Sequence, residues 1–489
     1  MLPLRILHVA AEHFPQVKTG GLGDVMASLP PAQRRAGMDV RLVLPCYPAV
    51  RAALIEPIDT IWVGPVVGSA GVRILKGRFS ERGLWVYAVD APDRFDRPGS
   101  PYVDAEGRNW PDNALRFALL SWTAAQLARG VLDRRWHADI LHAHDWHTAL
   151  APAYARLAED SLTPPRTVFT IHNLAYQGLF PAELFPSLCL PPEAFVPEGL
   201  EFWGLVSFMK AGLVYADKVT TVSPTYARDI TTYDYGYGLE GVVMRRGTDL
   251  VGILNGVDEK EWDPSRDPHL VAGYSRNKLS GKADCRAAVA AEYSVELGEG
   301  PLFCVVSRLT HQKGLDLVLA TIPEILAHDG RLIVLGEGDR VLELAFRAAA
   351  DAHPGKVGAH FVFSEAQAHR VIAGADALLM PSRFEPCGLT QLYALHYGTP
   401  PVVHHTGGLL DTVIDVDSAG LALGTGFAFK PATVPAFAEA IGRAATLFND
   451  PRRWRQVQRN AMAQHFLWSR AAEKYLELYR SIAVRTGTY

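Results

Sequence analysis

Short apolar, β-branched runs alternate with amphipathic helical stretches along almost the whole chain. Few folds other than a parallel α/β architecture accept that alternation. In the first half, strands are read at residues 6–11, 39–44, 84–89, 139–143, 167–171 and 218–222, with helices over 113–128 and 204–215. A strand and turn at 251–258 and an irregular stretch follow. A second series then runs through 302–306, 331–335, 360–363, 377–380 and 401–404. A chain of 489 residues is too long for one ordinary core. The reading is therefore two doubly wound domains, 1–252 and 253–467, with a helical tail over 468–489 expected to cross back to the first.

Such folds bind ligands outside the carboxyl ends of their strands, and the chemistry-bearing residues fall there. Lys18, Thr19, Gly20, Gly21 and Asp24 follow the first strand. A strand leading into a glycine turn and a helix opens backbone N–H groups to an anion, and Lys18 adds a mobile cation. The lysine precedes the glycines, the reverse of a P-loop, and the spacing is not the dinucleotide fingerprint. His144-Asp145-Trp146-His147 follow the strand at 139–143, and His172-Asn173 the strand at 167–171. Ser307 and Arg308, with Lys313, follow 302–306, and Gly336-Glu337-Gly338-Asp339 follow 331–335. Pro381 to Glu385 follow 377–380, with Gly388 opening the next helix. All are expected to line a cleft between the two domains. Arg308 and Lys313, near a helix start, suit a diphosphate.

Other clusters have plainer readings. His142, His144 and His147 with Asp145 are metal-ligand types, but residues alternating along a strand end point to opposite faces and need not converge. There is no H-E-x-x-H and no cysteine nearby. Asp415-Val416-Asp417 matches a short acidic metal motif and is read as a solvated loop. Cys387 is read as a small buried cysteine.

Composition narrows the class further. The 48 Lys+Arg nearly balance 52 Asp+Glu, so no global field points to nucleic acid or an anionic membrane. The five cysteines are scattered without a C-x-x-C pair, which fits a reducing compartment. No apolar stretch reaches membrane-spanning length, and the apolar run before His8 is too short for a signal peptide. A water-soluble protein of the cytoplasm is expected.

Six motifs in order carry a resemblance. They are Lys18-Thr19-Gly20-Gly21-Leu22, His144-Asp145-Trp146-His147, His172 to Gly178, Asn255-Gly256-Val257-Asp258, Ser307 to Gly314, and Arg383 to Thr390. Together they resemble the family of bacterial glycogen synthases and plant starch synthases, from about residue 5 to the tail. The resemblance implies a GT-B fold, with two Rossmann-like domains facing across a cleft that closes over the donor. It also implies retaining transfer of glucose from ADP-glucose to the non-reducing end of an α-1,4-glucan such as glycogen. By the same carry-over, Lys18 and its glycine turn contact ADP-glucose, Arg308 and Lys313 hold the diphosphate, and Asp145 and His172 line the glucose pocket. Glu385 faces the transferred sugar with the Cys387-Gly388-Leu389 backbone nearby, Asn255 lies at the interdomain segment, and Tyr102 stacks on the acceptor. No cofactor and no metal is implied, and neither a nucleic-acid nor a membrane partner; the oligomeric state stays open.

Two departures from the family's wider relatives stand out. With seven residues between, Glu385 is followed by Tyr393 rather than a second glutamate, which suits the starch-synthase branch. Phe363 stands where a base-stacking tyrosine is expected. A plastid enzyme is expected to carry an extension before Lys18, so the early first strand favours a bacterial protein. A UDP-glucose transferase, a pyridoxal-dependent phosphorylase and a glucan-binding protein on an inactive scaffold remain as alternatives.

Overall fold

The computed structural model describes residues 3–483 apart from residues 105 and 161; the end of the predicted tail, 484–489, lies outside them. The chain divides into two compact units. One comprises the chain through Gly256 together with the stretch from Trp468, the other Val257–Leu467. The first continues past residue 252 because Ile253 extends the sheet, its N–H donating to the carbonyl of Thr221 at 2.8 Å.

The first unit holds β1 (Arg5–Val9), β2 (Asp39–Pro45), β3 (Ile55–Val66), β4 (Ser69–Arg78), β5 (Trp85–Asp90), β6 (Ile140–His144) and β7 (Arg166–Ile171). It continues with β8 (Leu179–Pro181), β9 (Glu201–Phe202), β10 (Leu205–Ser207), β11 (Lys218–Thr221) and β12 (Leu250–Gly252). The main sheet is ordered β12-β11-β7-β6-β1-β2-β5-β4-β3, and β8-β10-β9 form a small separate sheet. From β12 to β5 every pairing is parallel. Strands β4 and β3 extend the sheet antiparallel, an addition not anticipated from the sequence. The predicted helix over 204–215 starts at Phe208, because residues 205–207 pair as β10 and Ser207 caps the helix by accepting from the Lys210 N–H.

The second unit holds β13 (Leu302–Val306), β14 (Arg331–Leu335), β15 (Val357–His360), β16 (Ala377–Met380), β17 (Pro401–His404) and β18 (Phe427–Phe429). They form one parallel sheet ordered β15-β14-β13-β16-β17-β18. Strand β15 lies earlier than the predicted 360–363. Its pairing with β14 ends at His360, and the apolar Val362 and Phe363 that misled the pattern are exposed on the loop beyond it. Burial on both faces makes these strands continuously apolar, as parallel sheets require.

Each sheet has a point where the chain reverses its order of laying down strands. In the first it lies between β1 and β6, in the second between β13 and β16. Loops diverge there and leave a crevice at the carboxyl ends. Among the described residues no helix is long and apolar enough to cross a membrane.

Candidate active site

At the switch point of the first sheet, the Lys18 loop is organised by Glu12, which sequence reasoning did not single out. Its buried carboxylate accepts from the Thr19 N–H at 2.8 Å, the Thr19 hydroxyl at 2.6 Å, the Gly20 N–H at 3.3 Å and the Tyr102 hydroxyl at 2.5 Å. The expectation that the turn's N–H groups lie open to an external anion is corrected for Thr19 and Gly20, whose donors are taken by this internal one. Lys18 pairs with Asp24 at 2.9 Å, and Asp24 sits in the first turn of the helix Gly21–Arg35, where a negative charge is favoured. One face of Tyr102 is covered by His147, ring centroids 4.4 Å apart. A carboxylate just past the first strand met the carboxyl-end criterion used for other residues, so Glu12 was findable.

Asp145 follows β6 with φ 61 and ψ 176, a region nearly reserved for glycine that costs about 1–3 kcal/mol and concentrates at functional sites. Its side chain is buried, and Oδ1 has no hydrogen-bond partner among the described residues. Burial pushes its carboxyl up to about 8; backbone N–H groups of Asn173, Trp146 and His172 oppose the rise and the Glu12 charge adds to it. The folded value exceeds the ordinary 3.8. The stability this group contributes is therefore full below the ordinary value and lost as pH rises through about 8. Asp145→Asn removes that dependence. Thermal unfolding from pH 5 to 9 is expected to show the wild type losing ground to the variant as pH rises, whereas parallel curves would contradict the burial of this acid.

His172 follows β7 half-buried, with burial lowering its pKa to about 3. Its Nε2 lies 3.1 Å from Nδ1 of His144. The reading that the histidines need not converge is corrected: residues i and i+2 of a strand share a face, and His142 and His144 stack at 4.2 Å. The third member is His8, paired with His142 in the β1–β6 register, while His147 lies beyond the strand. His8, His142 and His144 bring ligand atoms within 4.8 Å of one another. However, His8 Nδ1 and His144 Nε2 are 2.8 Å apart, and both His142 nitrogens engage hydroxyls, Tyr479 and Thr170. Nitrogens about 2.0–2.1 Å from one tetrahedral ion would lie about 3.3 Å apart, so this spacing is that of a hydrogen bond.

At the switch point of the second sheet, Lys313 Nζ lies 2.6 Å from Glu385 Oε2, and the Ser382 hydroxyl donates to the same oxygen at 3.0 Å. Lys313 sits in a turn, His311–Lys313, that precedes only a six-residue helix, Leu315–Ala320, so its charge rather than a helix dipole acts here. Gly314 allows the close approach: its φ is 67, and a Cβ would lie 2.2 Å from the carbonyl of Pro381. The two loops are laced together. Arg383 makes a bidentate pair with Asp316, both bonds 2.7 Å, and donates to the His311 carbonyl. Arg308 is exposed, and among the described residues its guanidinium has neither an ion-pair nor a hydrogen-bond partner. From sequence, Arg308 is read toward the diphosphate and Arg383 only as part of a strand-end motif; the anchoring of Arg383 is not visible there.

Cys387 is buried, and Gly388, with φ 74, has no room for a Cβ beside Gln391. Leu389 is half-buried and precedes the helix Thr390–His396. Tyr393, on that helix, stacks on Trp262 at 3.7 Å. Phe363 is exposed after β15, and Asn255 is buried near the end of the first unit's long segment. Asp415, read as part of a solvated loop, instead caps the helix Val416–Ala419, accepting from Asp417 N–H and Ser418 N–H, while Asp417 pairs with Arg443.

Comparison with known proteins agrees with this layout. A starch synthase catalytic domain family matches residues 5–245, and the family of glycosyl transferases group 1 matches 292–461. A glycogen synthase of Serratia proteamaculans (strain 568) is 50% identical over 98% of this chain and 100% of its own. One of Paramagnetospirillum magneticum is 47% identical over 99% of each. Among solved structures, the catalytic domain of starch synthase IV from Arabidopsis thaliana, bound to ADP and acarbose, superposes with a TM-score of 0.87 at 31% identity, covering 98% of this chain and 99% of that one. With each unit matched by its own glycosyltransferase family, and full-length relatives at half identity, the chain belongs to the glycogen and starch synthase family of GT-B glycosyltransferases.

Proposed function

We propose that the protein lengthens an α-1,4-glucan by retaining transfer of glucose from ADP-glucose to its non-reducing end, without a metal. The observation that carries the reading is the partly buried Lys313–Glu385 pair at one switch point, together with Arg308 after the same strand as Lys313, whose guanidinium has no partner among the described residues. Breaking a glucosyl–phosphate bond puts positive charge on the sugar and negative charge on the leaving diphosphate. Arg308 and Lys313 neutralise the leaving group, and fixed cations of this kind stabilise charge as it develops. In the free protein Lys313 and Glu385 neutralise each other. A diphosphate competes for Lys313 and frees the Glu385 carboxylate to face the positive sugar. In this reading Glu385 counters the sugar's positive charge without bonding to it, and leaving group and acceptor use the same face. Asp145, whose Oδ1 awaits a partner, and His172 read the glucose, and the ADP held by the Arabidopsis relative supports an adenine nucleotide.

The test is nucleotide release from glycogen mixed with ADP-glucose or UDP-glucose, with and without EDTA. Faster release of ADP, unchanged by EDTA, is expected; preference for UDP-glucose, or loss in EDTA restored by Mn²⁺, would overturn the reading. Lys18→Ala is expected to weaken donor binding about ten- to a hundred-fold, the loss of one charge-assisted contact, with the fold intact. Unchanged donor saturation in a folded variant would remove Lys18 from the site.

A further inference from the structure

A continuous chain of hydrogen bonds runs through the core of the first unit and ends at His172. Gln33, on the helix Gly21–Arg35, points its Oε1 at His8 Nε2, 2.6 Å away. His8 Nδ1 meets His144 Nε2 at 2.8 Å, and His144 Nδ1 meets His172 Nε2 at 3.1 Å. The Gln33 Nε2 donates to the Tyr479 hydroxyl at 3.0 Å. Tyr479, on the helix Trp468–Ile482, continues to His142 Nδ1, Thr170 and Thr220, each step 2.6 Å. His8, Gln33, His142 and His144 are inaccessible to solvent.

Polar groups so deep gain little net stability over apolar ones of the same shape, so what the chain specifies is direction. Burial lowers the pKa of all four rings, to about 4 for His8 and about 3 for His172. Each neutral imidazole has one donor and one acceptor. Gln33 Oε1 can only accept, so His8 carries its proton on Nε2 and accepts at Nδ1. His144 must then donate from Nε2 and accept at Nδ1, and His172 must donate from Nε2. Its Nδ1, which no hydrogen bond reaches among the described residues, is left with a lone pair. On the other branch the Gln33 amide donates to Tyr479, which donates to His142. Rotating the Gln33 amide by half a turn would reverse every step and make His172 Nδ1 a donor. Tyr479, which can donate or accept, fits either orientation, so the direction is set by the Gln33 amide itself, placed with Oε1 toward His8 and Nε2 toward Tyr479.

We propose that Gln33, with its Oε1 toward His8, is a positioning residue that fixes His172 as the Nε2–H tautomer, so that its Nδ1 accepts a hydrogen bond from a hydroxyl of the transferred sugar. This rests on the reading of His172 as a sugar-pocket residue, and the test separates the two. Full-length protein labelled with [15N]histidine is examined by long-range 1H–15N correlation, with His172 assigned from His172→Ala. The wild type is expected to show Nε2–H; an Nδ1–H His172 overturns the inference with no variant needed. Gln33→Met keeps length and removes both polar atoms. It is expected to give a mixed His172 tautomer and to lower kcat/KM for ADP-glucose about tenfold, the loss of roughly one hydrogen bond. Inhibition by ADP, which lacks the sugar, stays within twofold, roughly the scatter of a surface change. Equal losses for ADP and ADP-glucose would mark general distortion and overturn the proposal. Unchanged kcat/KM in a folded His172→Ala would overturn the sugar-pocket reading and the proposal with it.

Discussion

Replacing Lys313 with alanine is expected to lower kcat by about 10²–10³, the usual cost of removing one preorganised group that meets developing charge. Glu385→Ala is expected to cost about as much, and the double variant little more than either. The two side chains touch at 2.6 Å, and groups in contact act non-additively. In the proposed reaction each is useful only through charge separation that the other makes possible, so the second loss finds little left to remove. Glu385→Ala acts on kcat far more than on donor KM, because the sugar acquires positive charge only in the transition state. Stability separates the variants further. Lys313→Ala leaves the Glu385 carboxylate, 5% exposed, with only Ser382 among the described residues for support, and an uncompensated buried charge is strongly destabilising. Its melting temperature should therefore lie below that of the double variant. Strictly additive kinetic losses, or a double variant that melts lower than Lys313→Ala, would show that the pair does not act as a unit.

Arg308→Ala is expected to lower turnover about a hundred-fold, at the lower end of the cost of losing a group that stabilises developing charge, without moving the melting temperature. The guanidinium is exposed, and no hydrogen bond or ion pair to it exists among the described residues. Nothing in the free protein depends on it, and its planar fork suits a diphosphate. Arg383 provides the control. It is anchored on Asp316 and the His311 carbonyl, so Arg383→Ala unfastens the loop that carries Lys313. That variant is expected to lose stability as well as activity, and to do so through loop position rather than a missing ligand. Saturation with ADP and thermal melts of both variants check this. An Arg308→Ala protein with normal turnover would remove Arg308 from the diphosphate site.

Much of this was legible in the chain because parallel strands, buried on both faces, announce themselves as apolar runs with chemistry at their carboxyl ends. Strands β13, β14, β16 and β17 lie where the pattern placed them. Three features escaped for physical reasons. Strand β3 is an edge strand containing Pro65 and a positive-φ Gly64, with register shifts against β4; an edge tolerates such interruptions, and they erase the alternation. Phe361 to Phe363 read as a strand because apolarity does not distinguish a buried run from an exposed loop. The chain from Gln33 through His8 to His172 joins residues far apart in sequence, and Tyr479 lies 446 residues from Gln33. Only the packing of the Trp468–Ile482 helix into the first unit brings them together. Asp145 shows both cases: its place after β6 was readable, whereas its strained backbone and orphaned oxygen were not.

The central claim is that a single glucosyl unit moves from ADP-glucose to the end of a glucan with its configuration kept. The most direct measurement is to incubate the protein with ADP-[14C]glucose and maltohexaose and characterise the labelled product. The account predicts a chain one residue longer for each ADP released. Its label should sit at the non-reducing end and be released by an exo-acting α-1,4-glucosidase. A β-linked terminal residue, label at the reducing end, or ADP release accompanied only by free glucose would contradict it.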